Sequence, residues 1–197
     1  MLLCMLAPVI AVAPTLAASL SQADRDRAIR ELNTSRQQFL DSVAGLSPAQ
    51  WNFKPDEKTW SVAECAEHIT VSEDVIFGNI SKIMQGPADP DKKDAVTDDF
   101  ILKAVVNRTQ KFQAPEILRP THRFATPQEM LDHFKESRAK TIAYITDTQD
   151  DLRAHFYDHP VLKTMDAYQW ILLLSSHTQR HTAQLIEVKA NPNFPKE

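Results

Sequence analysis

Residues 166–190, which read DAYQWILLLSSHTQRHTAQLIEVKA, are the most informative part of this chain. Their apolar residues recur every three or four positions, which is the spacing of one face of an α-helix. Asp166 stands where the first turn of such a helix needs a capping side chain, and Asn191-Pro192 ends it. The segment therefore predicts an amphipathic helix with two histidines on its inward face. That face consists of Ala167, Trp170, Leu174, His177, His181, Leu185 and Val188.

Three earlier segments show the same helical spacing and have recognisable ends. Gly45 follows the first segment as a stop signal. The second begins with a capping box, in which the Ser61 hydroxyl and the Glu64 carboxylate each accept a free backbone N–H. The third begins at Thr126, with Pro127 in its first turn. The four predicted helices cover about residues 22–44, 61–84, 126–146 and 166–190.

A long connection containing several prolines, residues 85–125, joins the second and third helices. A short helix over about residues 98–106 is expected to interrupt it, and a loop is expected over residues 46–60. Long connections in compact domains often serve as crossovers or lids. Since no alternating strand pattern is convincing, the sequence predicts an all-α fold. We expect a four-helix bundle with a long crossover connection that crosses or caps one end.

Composition and charge exclude several classes of function. The 197 residues include 22 Lys+Arg and 26 Asp+Glu, so the formal net charge is −4 and no basic surface for nucleic acid is expected. Only three glycines occur, and no two are close together. A Gly-rich loop for phosphate or a dinucleotide is therefore excluded. The length suits one domain.

The first 20 residues, MLLCMLAPVIAVAPTLAASL, contain no charged residue and end in small side chains. This pattern is typical of a secretory signal peptide cleaved after Ala17 or Ala18, although the usual basic start is missing. A membrane anchor and an apolar first helix are the alternatives, and Pro8 and Pro14 disfavour the helix. The segment predicts export to the periplasm or the medium; without a signal, the protein would be cytoplasmic.

The predicted division of the chain is residues 1–20 as signal peptide or anchor and residues 21–197 as the bundle domain. No membrane span is expected to remain after cleavage. Cleavage would leave Cys65 as the only cysteine, so no intramolecular disulfide is expected.

The inward histidines of the last helix suggest a metal site. His177 and His181 are four residues apart, which places their imidazoles one above the other, about 5–6 Å apart at Cβ. Both can therefore reach one divalent ion, and His68, beside the inward seam of the second helix, is placed to supply a third ligand. Three neutral imidazoles leave an open coordination position, as in catalytic sites. Hydrogen-bonded core histidines are the alternative interpretation.

Two segments carry a family resemblance. Residues 60–69 read WSVAECAEHI and residues 177–185 read HTQRHTAQL. They resemble the W-S-[IV]-x-E-x-x-x-H-[LI] and H-x-x-R-H-x-x-Q-[LI] segments of the DinB/YfiT-like superfamily, and residues 46–51 fit its first loop. The resemblance implies a four-helix bundle in which three histidines hold a divalent metal. These histidines fall on His68, His177 and His181.

The resemblance also implies a metal-dependent enzyme. Characterised members include thiol-dependent transferases and isomerases, in which a metal can lower the pKa of a thiol. The ion can instead activate water for hydrolysis, and export would favour hydrolysis because the cytosolic thiol pool is absent outside the cell. A non-catalytic metal-binding bundle and a purely structural bundle are the alternatives. Zinc or nickel is expected, with iron or manganese as further candidates, and the expected partners are a small-molecule substrate and a second copy in a homodimer.

The other chemically interesting residues are interpreted as structural, and no catalytic residue is identified. Solvated or capping roles are expected for four histidines: His122, His133, His155 and His159. Cys65 is interpreted as a small buried residue and not as a ligand. Glu64 is interpreted as the helix cap and Glu67 as a solvated residue, so neither is taken as a general base. Arg180 is expected on the polar helix face with an acidic partner, and Trp60 is expected to hold the helix start to the core.

Overall fold

The computed structural model describes residues 20–196, and four long helices dominate it. These helices begin and end within one residue of the predicted ranges, which confirms the four-helix bundle. The elements in chain order are α1 (Gln22–Val43), α2 (Pro48–Asn52), α3 (Val62–Met84), α4 (Asp98–Ala104), α5 (Pro127–Asp147), strands β1 (Phe156–His159) and β2 (Lys163–Asp166), and α6 (Ala167–Lys189).

The predicted signal or anchor falls almost wholly on residues 1–19, which lie outside the described residues. Leu20, the last residue of the predicted segment, is only 6% exposed and packs in the core. No helix within residues 20–196 is long and apolar enough to cross a membrane.

The helix starts follow the capping signals in the sequence. The backbone N–H of Glu64 donates to the Ser61 hydroxyl (3.1 Å), and the Ser61 N–H donates to the Glu64 carboxylate (2.7 Å), which confirms the capping box. Thr126 and Asp166 cap α5 and α6 in the same way, by accepting the N–H three residues ahead. Each cap satisfies a donor that the first turn leaves free.

The four long helices form a bundle in which α1 and α3 are diagonally opposite, because each packs mainly against α5 and α6. The Tyr168 hydroxyl donates to the Asp24 carbonyl near the start of both α1 and α6, and Lys189 reaches the Ser42 carbonyl near their ends. These two helices are thus parallel. Helices α3 and α5 are parallel too, since Glu73 meets Arg138 and, further along both, Phe77 meets Tyr144.

Parallel neighbours explain the long connection. A chain that leaves the end of α3 must return about 35 Å, the length of a 23-residue helix, before it can start α5. Residues 85–125 cover this distance, and α4, which lies where the short helix was predicted, packs on α6 along the way. The predicted crossover is therefore present, and we call residues 85–125 the crossover.

Helix α2, a short 3₁₀ helix (Glu116–Leu118) in the crossover and the β1–β2 hairpin were not predicted. Helix α2 occupies part of the expected loop over residues 46–60. Strands β1 and β2 pair antiparallel as a hairpin, from Phe156 opposite Asp166 to His159 opposite Lys163. Neither four-residue strand alternates between buried and exposed positions, so the period that reveals a strand in a sequence is missing. Side chains of β1, Tyr157 and His159, lie against Trp170 of α6.

The core consists of two apolar clusters with a polar layer between them. The layer lies between Leu32 and Phe39 on α1, for example, and between Ile69 and Ile76 on α3. At its centre is Arg138 of α5, whose side chain is inaccessible to water. The Arg138 guanidinium donates to partners on the other three helices: Glu73 Oε2 (2.8 Å), Thr178 Oγ1 (2.8 Å), Ser35 Oγ (2.6 Å) and the Leu32 carbonyl (2.6 Å).

Candidate metal centre

The structure brings the three predicted ligands together. His68 lies in the second turn of α3, and His177 and His181 lie on successive turns of α6, which runs antiparallel to α3. The Nε2 atom of His68 is 3.3 Å from Nε2 of His177 and 3.2 Å from Nε2 of His181. Within residues 20–196 this is the one group of His, Cys, Asp or Glu side chains whose ligand atoms converge closely enough for a shared ion.

These separations fit a metal ion. With metal–nitrogen bonds of roughly 2.0–2.1 Å, a tetrahedral site separates its ligand nitrogens by about 3.3 Å, and an octahedral site separates neighbouring nitrogens by about 3.0 Å. The distances from His68 to His177 and His181 lie in this range. Two of the three ring-nitrogen separations therefore match those of a three-histidine metal site, and all three ligand nitrogens lie within 4.8 Å of one another.

Hydrogen bonds on the far side of two rings set their tautomers. His68 Nδ1 is 2.7 Å from the Leu118 carbonyl oxygen, which can only accept, so Nδ1 carries the proton. His181 Nδ1 is 2.9 Å from Gln184 Oε1. The same oxygen accepts from Arg108, which can only donate, and this identifies it as the oxygen of the amide. In the neutral state both rings thus present a lone pair at Nε2, toward the point that the three rings share.

Burial keeps all three rings neutral. It lowers the pKa of His68, although the hydrogen bond to Leu118 acts in the opposite direction. It lowers the pKa of His177 and His181 further, well below the ordinary histidine value, and repulsion from the neighbouring rings adds to this effect. A neutral imidazole is the form that binds a metal, so the site needs no proton removed at neutral pH.

Trp60 forms a wall of this site. Its ring centroid lies 5.0 Å from that of His68 and 6.4 Å from that of His181. The sequence predicted only that Trp60 holds the start of α3 to the core. Its half-buried side chain also packs with the apolar cluster that contains Trp51 and Val62, as expected.

The prediction that Glu67 is solvated is wrong. Glu67 is 5% exposed, and its carboxylate accepts the backbone N–H groups of Thr121 (2.7 Å) and His122 (2.9 Å) in the crossover. The helical pattern could not reveal this contact, because the covering segment comes from more than fifty residues away. Glu64, by contrast, is the predicted cap and also pairs with Lys54 (2.9 Å).

The prediction of an acidic partner for Arg180 is also wrong. Arg180 is 8% exposed, and its guanidinium donates to backbone carbonyls of the crossover. Its partners are the carbonyls of Val105 (3.0 Å), Asn107 and Gln110 (2.6 Å). The acid on this part of α6, Glu187, pairs with Arg108 instead (2.8 Å).

The residues interpreted as structural lie outside the histidine cluster. Cys65 is fully buried among apolar side chains, and burial raises the pKa of its thiol to about 12, so it is protonated and unreactive. His133 pairs with Asp74 (2.6 Å) on the surface, and His159 accepts the backbone N–H of Leu162 (3.1 Å) in the hairpin turn. His122 is exposed, and His155 is partly buried next to β1.

A separate cavity of about 930 Å³ opens beside the start of α5. Its walls come mainly from α1, α2, α3 and α5, and include Leu40, Trp51, Met130 and the Glu67 side chain. None of the three clustered histidines lines it, so the cavity and the candidate metal centre are different features of the molecule.

Comparison with known proteins identifies the family. The family model of the DinB superfamily matches residues 31–185, which is more than half of the chain. This chain belongs to the DinB superfamily. The uncharacterized protein YuaE of Bacillus subtilis (strain 168) is 26% identical to it over 160 residues, which cover 80% of this chain and 94% of YuaE.

A solved DinB-like structure has the same fold. The structure of YfiT from Bacillus subtilis matches with a TM-score of 0.56 at 15% identity, covering 87% of this chain and 89% of that chain. YfiT is described as a probable metal-dependent hydrolase with an unusual four-helix bundle topology. The diagonal placement of α1 and α3 and the crossover that joins the parallel helices α3 and α5 distinguish the topology of this DinB-superfamily chain from a simple up-and-down bundle.

Proposed function

We propose that this DinB-superfamily protein is a divalent-metal-dependent enzyme of the hydrolytic type, with His68, His177 and His181 as the metal ligands. This proposal rests on the convergence of the three Nε2 atoms. In His68 and His181 the Nδ1–H group donates outward, so Nε2 keeps a free lone pair. A divalent ion held by three neutral imidazoles supplies a Lewis acid at the coordination positions that the protein leaves free.

The comparison with a solved structure supports hydrolysis over thiol transfer. YfiT, which shares the fold, is described as a probable metal-dependent hydrolase. The buried Cys65 thiol, with its raised pKa, is no nucleophile, so a transferase reaction would require a thiol from outside the chain. Zinc or nickel is the ion we propose, because imidazole ligands suit these metals and hard cations prefer oxygen ligands.

A second candidate function is metal binding without catalysis. Water activation usually needs a general base close to the ion. The two glutamates that precede His68 on α3, Glu64 and Glu67, are both engaged with backbone N–H groups. A bundle that uses its metal for structure or sensing needs no general base, so both carboxylates can stay engaged with backbone N–H groups.

Metal uptake tests the ligand assignment. The full chain, purified without a histidine tag, is dialysed against zinc or nickel and analysed for metal content. We expect about one bound ion per chain in the wild type and much lower metal content in His177→Ala and in His181→Ala. Circular dichroism should show that both variants keep their helix content, because alanine is a good helix former. The control His133→Ala removes a histidine outside the cluster and should bind metal as the wild type does. Full occupancy in both ligand variants would show that the ligands are wrong.

Turnover distinguishes the two candidate functions. The metal-loaded protein is incubated with a panel of esters and amides, and separately with electrophiles plus a small thiol. Hydrolysis that a chelator abolishes and added metal restores supports the proposed enzyme. A protein that binds the ion tightly but turns over neither panel supports the non-catalytic candidate.

A further inference from the structure

The residue that directly precedes each of two candidate ligands binds the crossover. Glu67 precedes His68 and accepts N–H groups of Thr121 and His122, with a longer contact to the Arg123 N–H (3.4 Å). Arg180 precedes His181 and donates to carbonyls of the crossover between residues 105 and 110. On each helix, a charged side chain thus hydrogen bonds to backbone groups of the crossover. Such charge-assisted bonds are about twice as strong as neutral ones.

The crossover, in turn, contacts His68 directly and is linked to His181 through Gln184 of α6. Its Leu118 carbonyl accepts from His68 Nδ1, three residues before the segment that Glu67 holds. Its Arg108 donates to Gln184 Oε1, which accepts from His181 Nδ1, and Arg108 lies within the segment that Arg180 holds. Each ligand is therefore linked, His68 directly and His181 through Gln184, to the stretch of crossover that the residue before it holds.

This arrangement fixes both ends of the segment over residues 105–123. Glu67 is 5% exposed and Arg180 8% exposed, so water competes little for either set of bonds. Without Glu67, nothing else seen in the described residues accepts the Thr121 and His122 N–H groups. The stretch that carries the Leu118 carbonyl would then lose its hydrogen bonds to the Glu67 carboxylate of α3.

We propose that Glu67 and Arg180 are positioning residues for the metal centre. They hold the crossover so that the Leu118 carbonyl and the Arg108–Gln184 pair keep His68 and His181 in the Nδ1–H tautomer, with Nε2 directed to the shared point. This inference rests on the proposed metal site, and it assigns the long crossover a role in organising that site. Neither residue touches the reacting atoms.

The test uses Glu67→Gln and Arg180→Lys with matched controls. Glutamine cannot accept several N–H groups with one carbonyl oxygen without turning its own NH₂ toward them, and lysine lacks the fork that reaches three carbonyls. Glu129→Gln alters another glutamate that accepts a backbone N–H, that of Ala125. Arg25→Lys alters another arginine that donates to three carbonyls, those of Ile145, Thr146 and Thr148.

Two measurements are made on each variant. Nitrogen-15 NMR of the histidine side chains in the metal-free protein reports the tautomer, and competition with a chelator reports zinc affinity. We expect mixed tautomers at His68 in Glu67→Gln and at His181 in Arg180→Lys, with zinc affinity lowered about 10- to 100-fold and helix content retained. Both control variants should match the wild type in both measurements.

Other outcomes overturn the inference. Unchanged tautomers in the two variants would show that the crossover does not need these residues, and equal losses in the controls would show a general loss of stability. Gln184→Leu, at a partly exposed position, removes the His181 acceptor directly and must change the His181 tautomer even if Arg180→Lys does not fold. A wild type that binds neither zinc nor nickel would defeat the proposed metal site, whereas the tautomers of the metal-free protein would still decide the positioning role.

Discussion

Arg138 and Glu73 form an ion pair where neither side chain is accessible to water. The pair lies in the polar layer of the core, and Thr178, next to the candidate ligand His177, hydrogen bonds to both residues. Removing two charges from water costs several kcal/mol for each ion, and mutual attraction together with the added hydrogen bonds offsets that cost. The network therefore ties α6 to α3 and α5 one residue away from the histidine cluster.

Replacing only one partner of this pair is expected to destabilise the protein strongly. In Arg138→Met the Glu73 carboxylate stays buried without its cation, and we expect the free energy of unfolding to fall by about 3–5 kcal/mol. Urea unfolding at neutral pH measures this. The double variant Glu73→Met/Arg138→Met buries no charge and should recover most of the loss.

The exposed Glu136–Lys140 pair provides the control for this prediction. Lys140→Met removes a cation from an ion pair on the surface of the same helix, where water solvates the remaining carboxylate, so little change is expected. A loss in Arg138→Met no larger than the loss in Lys140→Met would contradict the importance of the buried pair.

At the scale of elements, Asp166 joins the hairpin, α6 and the crossover. It is the last residue of β2 and the N-cap of α6, where its carboxylate accepts the Gln169 N–H (2.6 Å) and a bond from Arg153 (3.0 Å). Its own N–H donates to the Asp94 carboxylate of the crossover (2.7 Å). Burial raises the pKa of Asp166 to about 7, and the charge of Asp94 acts in the same direction, against the Arg153 guanidinium.

The raised pKa of Asp166 predicts a pH dependence of stability with a definite sign. The folded state holds the Asp166 proton more tightly than the unfolded chain, where the pKa is near 3.8. The contribution of Asp166 to stability is therefore full below about pH 4 and is lost as the pH rises through about 7. Asp166→Asn preserves a good N-cap and does not titrate.

Urea unfolding of both proteins across this pH range tests the prediction. The unfolding free energy of the wild type minus that of Asp166→Asn should fall as the pH rises. Titrations of groups that do not interact with Asp166 cancel in this difference, whereas Asp94 titrates together with Asp166. A constant or rising difference would mean that Arg153 and the N-cap hydrogen bond outweigh burial at this carboxylate.

At the scale of the whole molecule, the histidine cluster joins segments that are distant in sequence. His68 and His177 are separated by 109 residues, and the Leu118 carbonyl that orients His68 lies 50 residues from it. An ion bound there holds α3, α6 and, through Leu118, the crossover in one arrangement. The unfolded chain does not have such a site, so binding free energy adds to folding free energy.

Metal binding is accordingly expected to stabilise the fold. At a zinc concentration of about 100 times the Kd, the free energy of unfolding should rise by about 2.7 kcal/mol, seen as a higher Tm in thermal unfolding followed by circular dichroism. The rise should vanish in His181→Ala and persist in His133→Ala. An equal rise in His181→Ala would place the stabilising ion elsewhere on the protein.

Much of this protein could be predicted from local patterns. Helix ends follow from side chains that satisfy nearby backbone groups, such as Ser61 and Glu64, so they depend on residues three positions apart. The spacing of His177 and His181 places them on one face of α6 whatever surrounds that helix. The position of His68 beside the inward seam of α3 made it a candidate third ligand, and the family resemblance supported that assignment. Export stays a prediction, since the residues on which it rests lie outside the described part of the chain.

Only the tertiary structure decides which segment of the chain contacts each inward or outward helix face. Helical periodicity reports that a face is buried, but it does not name the segment that covers it. Glu67 was expected to be solvated, but its carboxylate accepts backbone N–H groups of the crossover. Arg180 was expected to have an acidic partner, but its guanidinium donates to backbone carbonyls of the crossover. The same holds for the parallel course of α3 and α5 and for the Arg138 network, because both depend on packing between residues far apart in the chain.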